Sequence, residues 1–173
     1  MKQYLFIIGL LLWVSFFSCE KPPAPMPTER TTLHMDQEDE VLLRIAKYAR
    51  DTSPVFFRHM LRPAKDEKNF RVKYPFRADW GSGFSMEQIW LSDIKFKSGV
   101  YYGIVDNHPF YTNVLKKGDS VSFNTEDITD WMYTSNDKII GAYSIKYLLD
   151  QLPERSDQQN QILNMLSELP ADL

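Results

Sequence analysis

Between Glu87 and Tyr133 apolar and polar positions alternate in short runs, broken by the turns Lys97-Ser98-Gly99, Asn107-His108-Pro109 and Lys117-Gly118-Asp119. This is the pattern of consecutive β-strands. The run from Ile89 to Phe96 settles into period two at its end, which places Trp90, Ile94 and Phe96 on one face and Asp93, Lys95 and Lys97 on the other. Ser98-Gly99 offers a positive-φ position at the end of a three-residue loop, so the chain returns through Val100 to Val105 as a hairpin. Upstream, Phe70, Val72, Tyr74 and Phe76 alternate with Arg71, Lys73 and Arg77. That is a half-buried strand with a solvated charged face, and Pro75 confines it to an edge or a bulge. Downstream, Val121-Ser122-Phe123 follows Gly118-Asp119, and Thr125 to Ile128 turns. Asp130 to Tyr133 then pairs with Ile139-Ile140-Gly141 across Ser135-Asn136-Asp137.

Helical spacing frames these strands. Asp36 stands as an N-cap, Glu38, Asp39 and Glu40 fill a first turn where the helix dipole favours anions, and Val41, Leu42, Ile45, Tyr48 and Ala49 form one stripe to about Arg50. Ser53-Pro54 opens a second, short helix through Phe56, Phe57, Met60 and Leu61, which Arg62-Pro63 stops. At the far end Ile145, Leu148, Leu149 and Leu152 make a stripe ended by Pro153. Ser156 with Gln159 forms a capping box that opens Ile162, Leu163, Leu166 and Leu169. Residues 36–173 therefore read as one α+β domain. Its sheet is antiparallel and bent, with five or six short strands, a small partly open barrel being the alternative closure, and helices from both ends of the chain flank it.

The first 35 residues have a different character. Lys2 supplies positive charge, Tyr4 to Val14 is almost wholly apolar, and Ser15-Phe16-Phe17-Ser18-Cys19 ends the run. The stretch is short of the roughly 20 residues a membrane-crossing helix needs, and it reads as a signal peptide, residues 1–18, of the lipoprotein type. Ser18-Cys19 resembles the bacterial lipobox, which implies acylation of Cys19 and cleavage before it. Several acyl chains would anchor the protein firmly, at about 0.8 kcal/mol per buried CH₂. Residues 19–35 then form a tether, with Pro22-Pro23-Ala24-Pro25-Met26-Pro27 favouring polyproline II. Cys19 is the single cysteine, so no intramolecular disulfide exists and the domain depends on its core.

With 173 residues, 43% of them hydrophobic, the chain suits one domain, and a net charge of −3 gives no electrostatic case for nucleic acid. Gly81-Ser82-Gly83 has the spacing of neither a nucleophile elbow nor a phosphate loop. No metal-ligand spacing emerges, and nothing calls for a cofactor. The best acid and base set that can be gathered is His108, Asp106, Asp130, Tyr133 and Asp119, at loop ends of the sheet, which frames a small envelope hydrolase as the alternative function. Asn107, His108, Asp130, Trp131 and Tyr133 form the candidate partner-binding set, because an aromatic face with an acidic neighbour suits cationic side chains. Strand alternation packs Trp131 inward and turns Asp130 toward solvent or a partner.

Glu87 with Trp90, Gly103 with Asn107 and Pro109, Gly118-Asp119, Ile128 before Asp130-Trp131-Met132-Tyr133, and Gly141 with Tyr143 follow one another along the chain. By these motifs the region from about 70 to 152 resembles the YegJ-like family of bacterial domains of unknown function. Ala142 and Lys146 stand where the resemblance leads one to expect Gly and Arg. It implies a domain and no reaction. The expectation for the whole is a lipid-anchored, non-catalytic module at the bacterial envelope that binds a protein or another envelope component, an immunity or inhibitor role being one form.

Overall fold

A computed structural model describes residues 39–79, 81–83 and 85–168, all within the compact unit Leu33–Leu173. The signal peptide, the tether, Cys19, Asp36 and Leu169 lie outside the described residues. Among the described residues no helix is long and apolar enough to cross a membrane.

Helix α1 spans Glu40–Leu61 without a break, merging the two helices expected on either side of Ser53-Pro54. Pro54 is exposed, so its ring sits on the outer side. Ile45, Ala49, Ser53 and Phe56 are buried and keep one helical phase straight through it. The start is capped by Asp39, whose carboxylate accepts from Val41 N (2.8 Å) and Leu42 N (3.2 Å). Asp39 thus takes the capping role assigned to Asp36.

Six strands follow: β1 (Lys68–Arg77), β2 (Met86–Lys97), β3 (Val100–Val105), β4 (Ser120–Phe123), β5 (Asp130–Ser135) and β6 (Lys138–Gly141). They form one open sheet in the order β4-β3-β2-β1-β5-β6, every pairing antiparallel. The architecture is α+β, with β4 and β6 as the two edges. β1 is internal, yet Pro75 fits, because the pairing of β5 with β1 ends at Asp130 opposite Lys73. Backbone groups alternate sides along a strand. Since Lys73 O faces β5, accepting Thr129 N at 2.9 Å, the donor Pro75 lacks would point past that strand's end.

The expected grouping of Trp90 with Ile94 and Phe96 is corrected. Ile89 and Leu91 are fully buried, so Trp90 lies on the opposite face. A register shift between Ser92 and Lys95, with Asp93 at φ 46°, marks a β-bulge that reverses the alternation and brings Ile94 back to the core side. Two hairpins close through two-residue turns in which both residues have positive φ, Ser98-Gly99 and Asn136-Asp137. This geometry follows the twist of the strands, and it shortens the expected three-residue loop after Lys97 by one.

Helix α1 packs on one face, where Ile45, Ala49 and Phe56 meet Val72, Ile89, Leu91 and Trp131. The Trp131 indole N–H donates to Ala49 O and to Thr52 Oγ1, each at 3.1 Å. Helices α2 (Tyr143–Asp150) and α3 (Asp157–Met165) cover the other face over β5 and β6, packing Leu149 and Leu166 against Met132 and Ile139. The capping box at α3 forms as the sequence implies, with Ser156 N donating to Gln159 Oε1 at 2.8 Å and Gln159 N to Ser156 Oγ at 3.3 Å.

Candidate functional site

The connection from β3 to β4, residues 106–119, contains no strand or helix, so its backbone groups need other partners. Side-chain carboxylates and an amide supply several of them. Glu87, only 8% exposed on β2, accepts Phe110 N at 2.7 Å and Tyr111 N at 2.8 Å. Asp79 accepts Asn113 N at 3.0 Å and Asn113 Nδ2 at 2.5 Å, while its own amide donates to Tyr111 O at 2.6 Å. Asn107 Oδ1 accepts Trp90 N at 2.8 Å, and Asp119 Oδ2 accepts Lys116 N at 2.8 Å. At the root of the loop an ion pair of 2.6 Å joins Asp106 Oδ2 to Arg71 Nε. The backbone is therefore held at both ends and in the middle. On this fixed frame Phe110 and Val114 are 66% and 80% exposed.

A second polar group lies on the α2 side of the sheet. Ala142, in the left-handed region at φ 54°, precedes α2 and gives it no side-chain cap. Asp130 caps the helix from β5 instead, its Oδ2 accepting Ser144 N at 2.9 Å and Ser144 Oγ at 2.6 Å, while Oδ1 accepts Trp131 N at 2.8 Å. Lys73 Nζ donates to Ser144 Oγ at 2.5 Å and lies 4.9 Å from the centroid of the Trp90 ring. Burial pushes the Asp130 carboxyl up and the Lys73 amine down, each opposed by the other's charge. An amine and a carboxylate on one hydroxyl are the parts of an activated nucleophile. Here Asp130 is fully buried and Lys73 and Ser144 are at most 6% exposed, which seals the hydroxyl from any substrate carbonyl in this arrangement.

The candidate residues from sequence thus divide into three places. Asn107 and His108 belong to the fixed loop, Asn107 as a group that positions it and His108 as an exposed neighbour. Trp131 and Tyr133 are buried on the α1 face, Tyr133 stacked between Phe70 (5.1 Å) and His59 (5.4 Å). Asp130 is on the opposite face, as alternation requires, but that face is covered by α2, so its expected exposure is corrected. The same covering buries Lys73, whose face had read as solvated. The proposed acid and base set is not gathered either: Asp106 is paired with Arg71, Asp119 holds a turn, and Asp130 caps α2. Among the described residues no group of three His, Cys, Asp or Glu side chains is placed to hold a metal. Sequence reasoning missed Phe110, Val114, Glu87, Lys73 and Ser144. The turn Asn107-His108-Pro109 and the large aromatic directly after it were the available signs of the loop.

Residues 39–164 match the family described as uncharacterized protein conserved in bacteria, DUF2314. The chain is 30% identical over 159 residues to the uncharacterized protein YegJ of Escherichia coli strain K12, covering 91% of this chain and 95% of that protein. It is 31% identical over 125 residues to a putative ankyrin repeat protein of Neisseria meningitidis serogroup B, covering 70% of this chain but 49% of that protein. No solved structure matches significantly. The matched region takes in α1, the whole sheet, the fixed loop and nearly all of α3, and by that match the chain belongs to the DUF2314, YegJ-like family of bacterial domains.

Proposed function

We propose that this chain is a protein-recognition domain that presents the loop 106–119 from the bacterial envelope, where a lipid on Cys19 holds it. One observation carries the reading: Phe110 and Val114 are large apolar side chains left mostly exposed on a backbone fixed by Glu87, Asp79 and Asn107. Exposed apolar groups on a floppy loop cost ordering entropy on association, about 0.5–1.5 kcal/mol per side chain immobilised, and prior ordering removes much of it. Aromatic anchors of this kind dominate protein interfaces. The Neisseria relative, named for ankyrin repeats, adds weak support for protein binding. The anchor rests on the apolar leader and Ser18-Cys19. Inhibition of an envelope enzyme, or immunity to a toxin, is the form of activity that needs only binding.

The test places a photoreactive amino acid at Val114 in the full chain within its own envelope. A single adduct is expected, lost in Phe110→Ala and absent when the probe sits at Lys47 on the exposed side of α1. An adduct of equal yield in Phe110→Ala would remove the loop from the interface.

A further inference from the structure

The sheet is forked. β1 and β2 pair from Arg77 opposite Met86 to Val72 opposite Leu91 and no further. Beyond that point β1 stays with β5, Arg71 opposite Met132, and β2 stays with β3, Lys95 opposite Tyr102. Each strand slips register at the fork, and each carries there a non-glycine residue in the left-handed region, Asn69 at φ 59° and Asp93 at φ 46°. Such conformations cost energy, and they concentrate at ligand sites. Between the parted strands opens a cleft of about 400 Å³. Met60, Phe70 and Ile94 give it apolar walls, and Asn69, Ser92 and Asp93 give it polar ones.

Its lining carries one cation and one anion. Arg71 also lines the cleft, but its Nε is held by Asp106 at 2.6 Å, so its positive charge is already met. Asp93 is exposed, and among the described residues no cation lies within ion-pair distance of it, its neighbour Lys95 included. The Asn69 amide nitrogen is engaged with Thr134 Oγ1 at 3.1 Å, which leaves the amide oxygen as an acceptor. A cleft with apolar side chains at Met60, Phe70 and Ile94 and an exposed carboxylate at Asp93 fits a long aliphatic stem with a cationic head. At about 400 Å³ the cleft stands at the small end of ligand sites, which run to roughly 1,000 Å³, and suits a single side chain.

We propose that this cleft receives a lysine or arginine side chain of a protein partner, with Asp93 taking the charge and Met60, Phe70 and Ile94 the stem. The proposal deepens the protein-recognition reading and rests on it for the source of the side chain. It gives the domain a second contact, chosen by charge, beside the apolar one on the loop.

The experiment follows the Ile94 methyl resonance of the detergent-solubilised full chain, ¹³C-labelled at isoleucine. The probes are Nα-acetyl-lysine methylamide, its norleucine isostere and n-butylamine. Saturable shifts are expected with the lysine compound, with affinity at least about tenfold weaker for norleucine, and the same loss for lysine in Asp93→Asn. Equal affinity for lysine and norleucine, no shift at Ile94, or full binding by Asp93→Asn would overturn the assignment. Binding of butylamine as tightly as the lysine compound would give the cleft to free amines and overturn the partner side chain. The titration does not involve Val114 or Phe110. A failed cross-link with an intact titration therefore removes the loop alone, and the reverse result removes the cleft alone.

Discussion

Replacing Asp130 by alanine removes one carboxylate that three donors share: Trp131 N, Ser144 N and Ser144 Oγ. It also strips Lys73, 6% exposed, of the buried negative charge it faces across the Ser144 hydroxyl. Orphaning a buried donor costs about 1–3 kcal/mol, and breaking a buried charged pair by deleting one partner costs about 3–5 kcal/mol. These overlap, so Asp130→Ala should lose about 3–5 kcal/mol, as much as Trp131→Ala, whose buried indole costs about 3–5 kcal/mol to truncate. Lys73→Met keeps the methylene stem beneath Trp90 and removes the charge. In the double variant no unmatched charge remains, so its loss should fall well short of the sum of the single losses. The pair also sets a pH dependence. Between the usual carboxylate value and its raised folded value, Asp130 holds in the native state a proton it has shed in the unfolded chain, so stability falls as pH rises through that interval. Lys73→Met removes the charge that draws Asp130 down, and should widen the interval upward. Urea unfolding across pH measures all of this. A loss of no more than about 1 kcal/mol for Asp130→Ala, or strict additivity in the double variant, would refute the network.

Gly141 lies at φ 81°, and a Cβ there would come within 2.3 Å of Trp131 O, so Gly141→Ala should unfold at markedly lower urea or fail to fold, while Gly99→Ala, with open space around it, should lose only the strain of its turn. For Asp39, burial alone would raise the pKa, but the Tyr147 hydroxyl, the Leu42 and Val41 amides and the Arg44 charge outweigh it and leave it lowered. A lowered carboxylate stabilises the fold above its unfolded value and loses that contribution as pH falls through the folded one, so Asp39→Asn should flatten the acid limb of a stability–pH curve. Cys19→Ser should leave a soluble or unprocessed chain on fractionation, because the hydroxyl cannot replace the thiol in acyl transfer. A processed species that still needs detergent would contradict the lipid anchor.

Where local chemistry dictates local shape, the elements were legible: Asn136-Asp137 between two apolar runs makes a hairpin, and Ser156 with Gln159 makes a cap. Where packing overrules a local signal, they were not. Pro54 reads as a helix start, yet the burial of Ile45, Ala49 and Phe56 on one side carries α1 through it. Asp93 carries no warning of a bulge beyond the tolerance of Asp for positive φ, so the faces of Trp90 and Ile94 were confused. Alternation correctly separated Asp130 from Trp131, but a strand alone does not reveal that a later helix will cover its second face and need that carboxylate as a cap. The loop was partly legible: Asn107 and His108 pointed to it, whereas its rigidity depends on Glu87 and Asp79, which are remote in sequence.

The central claim is that the loop recognises a partner because its backbone is already fixed. Glu87→Gln tests it without changing either anchor side chain, since the new amide nitrogen faces a backbone N–H from which it cannot accept and one of the two clamping bonds is lost. The measurement is the partner's dissociation constant beside amide exchange at Phe110 and Tyr111. Faster exchange with affinity weakened about tenfold or more is the predicted result. Faster exchange with unchanged affinity would show that the fixed backbone contributes nothing to recognition.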